Sequence, residues 1–229
     1  MSDVREALSR ERILHAAVRL ADEDGLEATS MRRLADALDV TPMALYKHVT
    51  NREELVDGMV DTIIEEITPI ETWGGELADW RTLLRARVLA ARHVLAGRPW
   101  AVEAIETRQA SSPTVLAYMD SLIGIMRRGG LSTDLVHHAM HALSSRMWGL
   151  TRDVFPTPAT PDEPAERQIM MNQIARDYPN IAEMVNTVPA SGTGCDADVE
   201  FEFALDILLD GFDRLHRNGW TPPIGSLEH

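Results

Sequence analysis

Only Asp39 and Val40 separate the end of one helical run at Leu38 from the start of the next at Thr41-Pro42. Leu34, Ala35 and Leu38 recur at helical spacing. Thr41 followed by Pro42 reads as an N-cap and a first-turn proline, where the missing N–H costs nothing. A break this short forces the two helices to pack directly on each other, as in a helix-turn-helix. The local requirements are met. Ala35 is small where the helices cross, Val40 is apolar after the turn, and Leu45 anchors the second helix. Asp39 stands where a glycine is usual. Aspartate tolerates positive φ better than most residues, so the turn is strained but feasible.

The rest of the 229-residue chain repeats the helical period and shows no strand pattern and no internal repeat. A first helix is expected from near Val4 to Gly25, with Ile13, Leu14, Ala17, Leu20 and Ala21 on one face. Thr29 or Ser30 caps the second helix, and the third runs from Pro42 to about His48. Thr50 with Glu53 fits a capping box for a fourth helix that ends before Pro69. Further helices are expected over about 77–96, 100–109, 113–128, 132–154, 165–176 and 198–217, some ten in all. Gly129-Gly130 and Asn218-Gly219 are stops. "FPTPATPDEP" (155–164) reads as a proline-rich loop and "SGTGCD" (191–196) as a break. The expected fold is all-α: an N-terminal three-helix helix-turn-helix domain over 7–67, then a larger helical bundle over 68–224. Leu227-Glu228-His229 reads as the remnant of an affinity tag.

Charge sharpens this division. The chain carries 22 Lys+Arg against 36 Asp+Glu, a net of −14, and Lys47 is its one lysine. Residues 1–52 hold 8 basic and 9 acidic side chains, a net of −1, and residues 53–229 hold 14 and 27, a net of −13. An acidic chain is no general nucleic-acid coat, yet the front fifth is nearly neutral and can carry a small basic face. Cys195 is the single cysteine, so no intrachain disulfide and no thiolate metal cluster can form. No apolar run approaches the ~18 residues of a membrane span, and the polar N-terminus is no secretory signal. A cytoplasmic protein is expected.

The stretch "ILHAAVRLADEDGLEATSMRRLADALDVTPMALYKHVTNREELVDGM" resembles the DNA-binding domain of the TetR family of transcriptional repressors over residues 7–67. It has the opening helix, Gly25 leading to Thr29-Ser30, the "LYKHV" ending and the "NREEL" start of the fourth helix. The "TPMALYKHV" form is most similar to the tetracycline-repressor branch, with weaker support from "ETRQ" at 106–109. The resemblance implies that the N-terminal end of the third helix enters the major groove. Thr41, Pro42, Met43 and Ala44 then lie nearest the bases, Thr41 as donor or acceptor and Met43 and Ala44 against thymine methyls. It implies phosphate contacts for Tyr46 and His48, a DNA contact for Ser30 at the start of the second helix, and a base or backbone contact for Arg32. Lys47 is placed at a guanine edge or a phosphate. Asn51 and Arg52 would hold phosphate at a helix N-terminus.

The same resemblance implies a homodimer on a palindromic operator and a small-molecule pocket in the rear bundle. The dimer face is expected from Val136, Ala139, Met140, Leu143 and Met147 with Phe201, Ala204, Leu205, Leu208 and Phe212. Pocket candidates are Trp80, Arg87, His93, Trp100, Ala104, Thr107, Met119, Leu122, Met126, His141 and Trp148, mostly apolar with a few polar groups. The family's metal–tetracycline ligand is not expected. Ala104, Ile67 and Ser145 stand where histidines would hold the metal, although Asp153 could serve as an acidic partner. The inducer is expected to be bulky and largely apolar. No cofactor, no metal site and no enzymatic activity are expected. Two other readings remain. His137 and His141 share a helix face and could serve a metal-dependent hydrolase, though they lack the glutamate of H-E-x-x-H. The chain could also be a protein-interaction module without DNA binding.

Overall fold

The computed structural model describes residues 7–67, 79–107, 111–148, 163–187 and 196–222. They form eleven α-helices, and no strand occurs among the described residues. α1 (Arg10–Asp24) starts later than the sequence suggests. The Ser9 hydroxyl accepts from the Arg12 N–H at 3.1 Å and caps the helix, so residues 7–9 stay outside it; Val4 lies outside the described residues. Gly25, with φ 82°, ends α1, and a short 3-10 turn (Leu26–Ala28) leads to α2 (Met31–Leu38). Ser30 is the cap of α2, accepting from Arg33 N–H at 3.3 Å. Thr29 is buried instead, and its hydroxyl donates to the Gly25 carbonyl.

α3 (Pro42–Leu45) is shorter than expected, and the chain continues as a turn through His48. α4 (Arg52–Glu65) has its cap one residue later than the Thr50–Glu53 pairing. The Asn51 side chain accepts from Glu54 N–H at 2.7 Å, and the Glu54 carboxylate accepts from Thr50 N–H at 2.8 Å and its hydroxyl at 2.6 Å. Asparagine caps at least as well as threonine, which leaves Thr50 to bind the glutamate from outside.

Behind this unit stand α5 (Trp80–Ala96), α6 (Pro99–Thr107), α7 (Pro113–Arg128), α8 (Thr133–Trp148) and α11 (Ala197–Arg217). α9 (Pro164–Asp177) and α10 (Pro179–Thr187) pack on each other as a hairpin. α10 is the helix the sequence reading missed. Pro179 looks like a stop after Tyr178 but occupies a first helical position, where proline is tolerated. The expected extensions to Leu77, Gln109 and Val154, and most of the loops at 155–164 and 191–196, lie outside the described residues.

Two apolar clusters hold the molecule. The front one joins α1 to α4 and takes in Leu95, Trp100, Ala101 and Ala104. The rear one joins α5, α7, α8 and α11 and takes in Ile67. Apolar packing therefore crosses residue 67 in both directions. Val136, Ala139, Leu143, Phe201, Leu205 and Phe212, expected at a dimer face, are buried inside the single chain. The apolar stripe left outside on α11 is Val199, Phe203 and Ile207, at four-residue spacing, with Phe203 64 % exposed. Along the edge of α11 runs an antiparallel ion-pair ladder to α5: Arg81 with Asp210, Arg85 with Asp206 and Glu202 at 2.7 Å each, and Arg92 with Asp198 at 3.2 Å.

Candidate nucleic-acid interface and rear groove

The front face is built from the turn outward. Asp39 has φ 53° and ψ 48° and is the only non-glycine at positive φ among the described residues. Val40 N–H donates back to Ala35 O at 3.0 Å and Asp39 N–H to Asp36 O at 3.2 Å. This is the double closure of a Schellman motif, made here without glycine. Leu34, Ala35, Leu45 and Val49 are fully buried against α1 and α4. With one side of α2 and α3 fixed, the other is presented to solvent. Ser30, Arg32, Thr41, Pro42, Met43, Tyr46, Lys47, Asn51 and Arg52 are exposed, while Ala44 and His48 are half-buried. Met43, 73 % exposed on a four-residue helix, has no packing role that would explain a large apolar side chain there.

The cations divide into two kinds. Arg33 donates to the Ala28 carbonyl and pairs with Asp24, and Arg52 donates to the Leu26 carbonyl at 3.3 Å and pairs with Glu27 at 3.0 Å. Both staple the 3-10 turn. Arg52, expected at phosphate, thus already has an exposed internal partner, and Asn51 spends its side-chain oxygen on the cap of α4. Arg32 and Lys47 carry exposed charges for which no ion pair is found among the described residues.

The described pocket candidates divide between the two clusters and the surface. Trp100 and Ala104 lie in the front cluster; Leu122 and Met126 are rear core; Met119 and His141 are exposed. Trp80 packs against Gly129, so closely that a Cβ there would lie 2.4 Å from its ring. The Arg87 guanidinium stacks 4.7 Å over the Tyr118 ring and donates to the Ile67 carbonyl. Burial pushes the Tyr118 hydroxyl above its ordinary value, opposed by the Arg87 charge. The side chains of Thr107, Ser145 and Trp148, and Asp153 altogether, lie outside the described residues. His93 lines an open groove of about 500 Å³, together with Glu66, Thr82, Arg85, Ala86, Leu89, Ala90 and Val94. The sequence signal for it was available: Thr82, Ala86, Leu89, Ala90 and His93 share the face of α5 opposite the buried Leu84, Val88 and Ala91. Small alanines there leave room for a guest.

The His137 and His141 rings lie 4.7 Å apart, with His138 against Trp220. No set of three His, Cys, Asp or Glu side chains suited to a metal ion occurs among the described residues. None of their helices is long and apolar enough to cross a membrane.

Residues 13–59 match the model for bacterial regulatory proteins of the tetR family, and residues 75–215 match the tetracyclin repressor-like C-terminal domain. The chain belongs to the TetR family. An HTH-type transcriptional regulator of Saccharopolyspora erythraea is 31 % identical over 65 % of this chain and 61 % of its own length. The HTH-type transcriptional repressor DrrR1 of Streptomyces coeruleorubidus is 28 % identical over 96 % of this chain and 83 % of that protein. The crystal structure of ActR from Streptomyces coelicolor without ligand matches with a TM-score of 0.70 at 23 % identity, covering 94 % of this chain and 99 % of that one. ActR in complex with (S)-DNPA matches at 0.65 with 25 % identity, over 92 % of this chain and 100 % of that one. This TetR-family chain is a DNA-binding regulator of transcription. Its front face is the family's helix-turn-helix, and its rear bundle is the tetracyclin repressor-like domain.

Proposed function

We propose that this TetR-family protein is a cytoplasmic, homodimeric, non-enzymatic repressor that holds a palindromic operator through the α2–α3 face and leaves it when a largely apolar molecule fills the α5 groove. The observation that carries this reading is an exposed Met43, Tyr46 and Lys47 on a short helix whose opposite side is locked by Leu45 and Val49. The N-terminal end of α3, from Thr41 to Ala44, reads bases; Tyr46, His48 and Lys47 follow along the backbone; Arg32 adds a contact from α2. Asn51 and Arg52 meet phosphate at the edge. Two such faces, ~34 Å apart, need a dimer. Val199, Phe203 and Ile207 supply an unburied apolar stripe for it, beside the carboxylates of the ladder. The groove is mostly apolar, with Arg85, His93 and Glu66 as polar anchors. Ile67 and Ala104 are buried apolar residues, which argues against metal–tetracycline.

Selection of duplexes from a random pool, followed by binding titrations on the enriched sequence, tests the reading. An inverted repeat bound by two chains is expected; enrichment of no sequence would refute it. Phe203→Glu is expected to yield monomers in sedimentation and to weaken binding to the full repeat.

A further inference from the structure

One guanidinium at the corner between α5 and α6 joins three parts of the molecule. Arg98 Nε lies 3.2 Å from the Asp22 carboxylate near the end of α1. Its Nη1 lies 2.6 Å from the carboxylate of Glu66, the residue that closes α4, and donates also to the Val94 carbonyl at 3.3 Å. Asp22 is held a second time, by the indole N–H of Trp100 at 2.8 Å. The Arg98 side chain is 20 % exposed, against 35 % for Arg85 in the α5–α11 ladder. Asp22 and Glu66 keep about a third of their side chains exposed, so these pairs stand between surface and buried ones in strength. Partial burial disfavours the guanidinium charge, and the charged hydrogen bonds to Glu66 and Asp22 more than offset it. Glu66 and Val94 also line the α5 groove. The same side chain therefore touches the groove wall on one side and the scaffold of the DNA-reading face on the other.

We propose that Arg98 is a positioning residue for DNA recognition: it fixes α1, and with it the α2–α3 face packed on α1, relative to the α5–α6 corner, and an occupant of the groove changes that hold through Glu66. The groove half of the inference rests on the ligand site proposed above. A guest that draws the Glu66 carboxylate away leaves Arg98 with Asp22 alone, and the front unit is then free to settle at another angle. Binding in the groove couples to the operator only if the guest favours one of these two arrangements.

The test needs no known inducer. Arg98→Gln, Arg98→Lys, Asp22→Asn, Glu66→Gln and the Asp22→Asn/Arg98→Gln double variant are titrated on the duplex selected by the wild-type protein and on an unrelated duplex. Amide hydrogen exchange is followed in residues 18–25 and in α11. Arg98→Gln is expected to bind the selected duplex about tenfold more weakly, equivalent to ~1.4 kcal/mol, with the unrelated duplex unchanged. Exchange in 18–25 rises while α11 keeps its protection. The double variant is no weaker than Arg98→Gln alone, because both substitutions break one interaction. Arg98→Lys falls between, since an ammonium cannot serve both carboxylates in a fork. Glu66→Gln moves both readouts in the same direction by less. Wild-type affinity and wild-type exchange in Arg98→Gln would overturn the proposal, as would additive effects in the double variant. An inert Glu66→Gln beside an affected Arg98→Gln would overturn the link to the groove. A wild-type protein that selects no duplex would refute the DNA-reading function, and exchange would still decide whether Arg98 holds α1.

Discussion

The α2–α3 crossing and the α5–α11 seam use charge in opposite ways. At the crossing, Leu34, Ala35 and Leu45 meet with no exposure at all, and the outward side keeps the cations of Arg32 and Lys47 unpaired among the described residues. At the seam, Phe201, Leu205 and Leu209 are equally buried, but Arg81, Arg85 and Arg92 are all committed to carboxylates of α11. A chain with a net charge of −14 repels DNA over most of its surface. Committing Arg81, Arg85 and Arg92 to internal partners preserves that repulsion along the seam. Leaving Arg32 and Lys47 uncommitted adds attraction at the reading face. The contrast makes separable predictions: front packing governs stability, front cations govern DNA affinity, and rear cations govern neither by much.

The largest expected effect is on packing. Leu45→Ala removes a fully buried side chain at the crossing and is expected to cost about 2–5 kcal/mol of unfolding free energy in urea titrations. A cost below about 1 kcal/mol would mean that the crossing is not what fixes α3. Lys47→Ala should leave stability within about 0.5 kcal/mol, as expected for an exposed side chain. It should weaken binding to the selected duplex by ~1 kcal/mol and lower the slope of log K against log salt by about 0.9 if the contact is to a phosphate. A weakened affinity with an unchanged slope would move Lys47 to a base edge. Arg85→Gln breaks two exposed pairs at once, with Asp206 and Glu202. Each such pair contributes about 0.2–1 kcal/mol at most. DNA affinity should not fall; a fall comparable with that of Lys47→Ala would erase the distinction between the two regions.

Legibility in the sequence follows the same divide. Three boundaries of the front unit were readable because each has a local cause: Gly25 after α1, Ser30 or its neighbour Thr29 before α2, and Thr41-Pro42 before α3. Even the unusual Asp39 could be placed, since the turn closes within five residues of chain. The rear was readable as helices but not as a site. Trp100 and Ala104 lie on a helix of the rear module, and only the folded chain shows them packing forward against α1 and α4. That six residues expected at a dimer face are core of the single chain has a related reason. Helical periodicity marks which residues are apolar on one side, and on α11 both Phe201 and Phe203 satisfy it. Which of the two faces the chain's own core depends on α5 and α8, more than 50 residues away in sequence. Glu66 and Arg98 were invisible for the simplest reason: a charged pair 32 residues apart carries no pattern.

The smallest expected effect concerns the start of α4, where the reading face joins the rest of the chain. Glu54 accepts hydrogen bonds from the Thr50 hydroxyl and N–H, with Arg10 at 3.8 Å, and these hold its carboxyl below the ordinary value of 4.5. The thermodynamic sign follows from that direction. A carboxyl whose folded value is depressed contributes stability that is fully present above its unfolded value and is lost as pH falls through the folded one. Between pH 7 and about pH 5 the contribution is therefore constant, and it declines only below ~4.5. Glu54→Gln keeps the size of the side chain and removes the titration. Urea midpoints measured from pH 7 to pH 3 should then converge: the variant is slightly less stable than the wild type at neutral pH and equal to it at the acid end. Because the carboxyl is open to solvent, salt should shrink the neutral-pH difference. Parallel curves down to pH 3 would mean that the Thr50–Glu54 hydrogen bonds do not form in solution, and that Asn51 caps α4 alone.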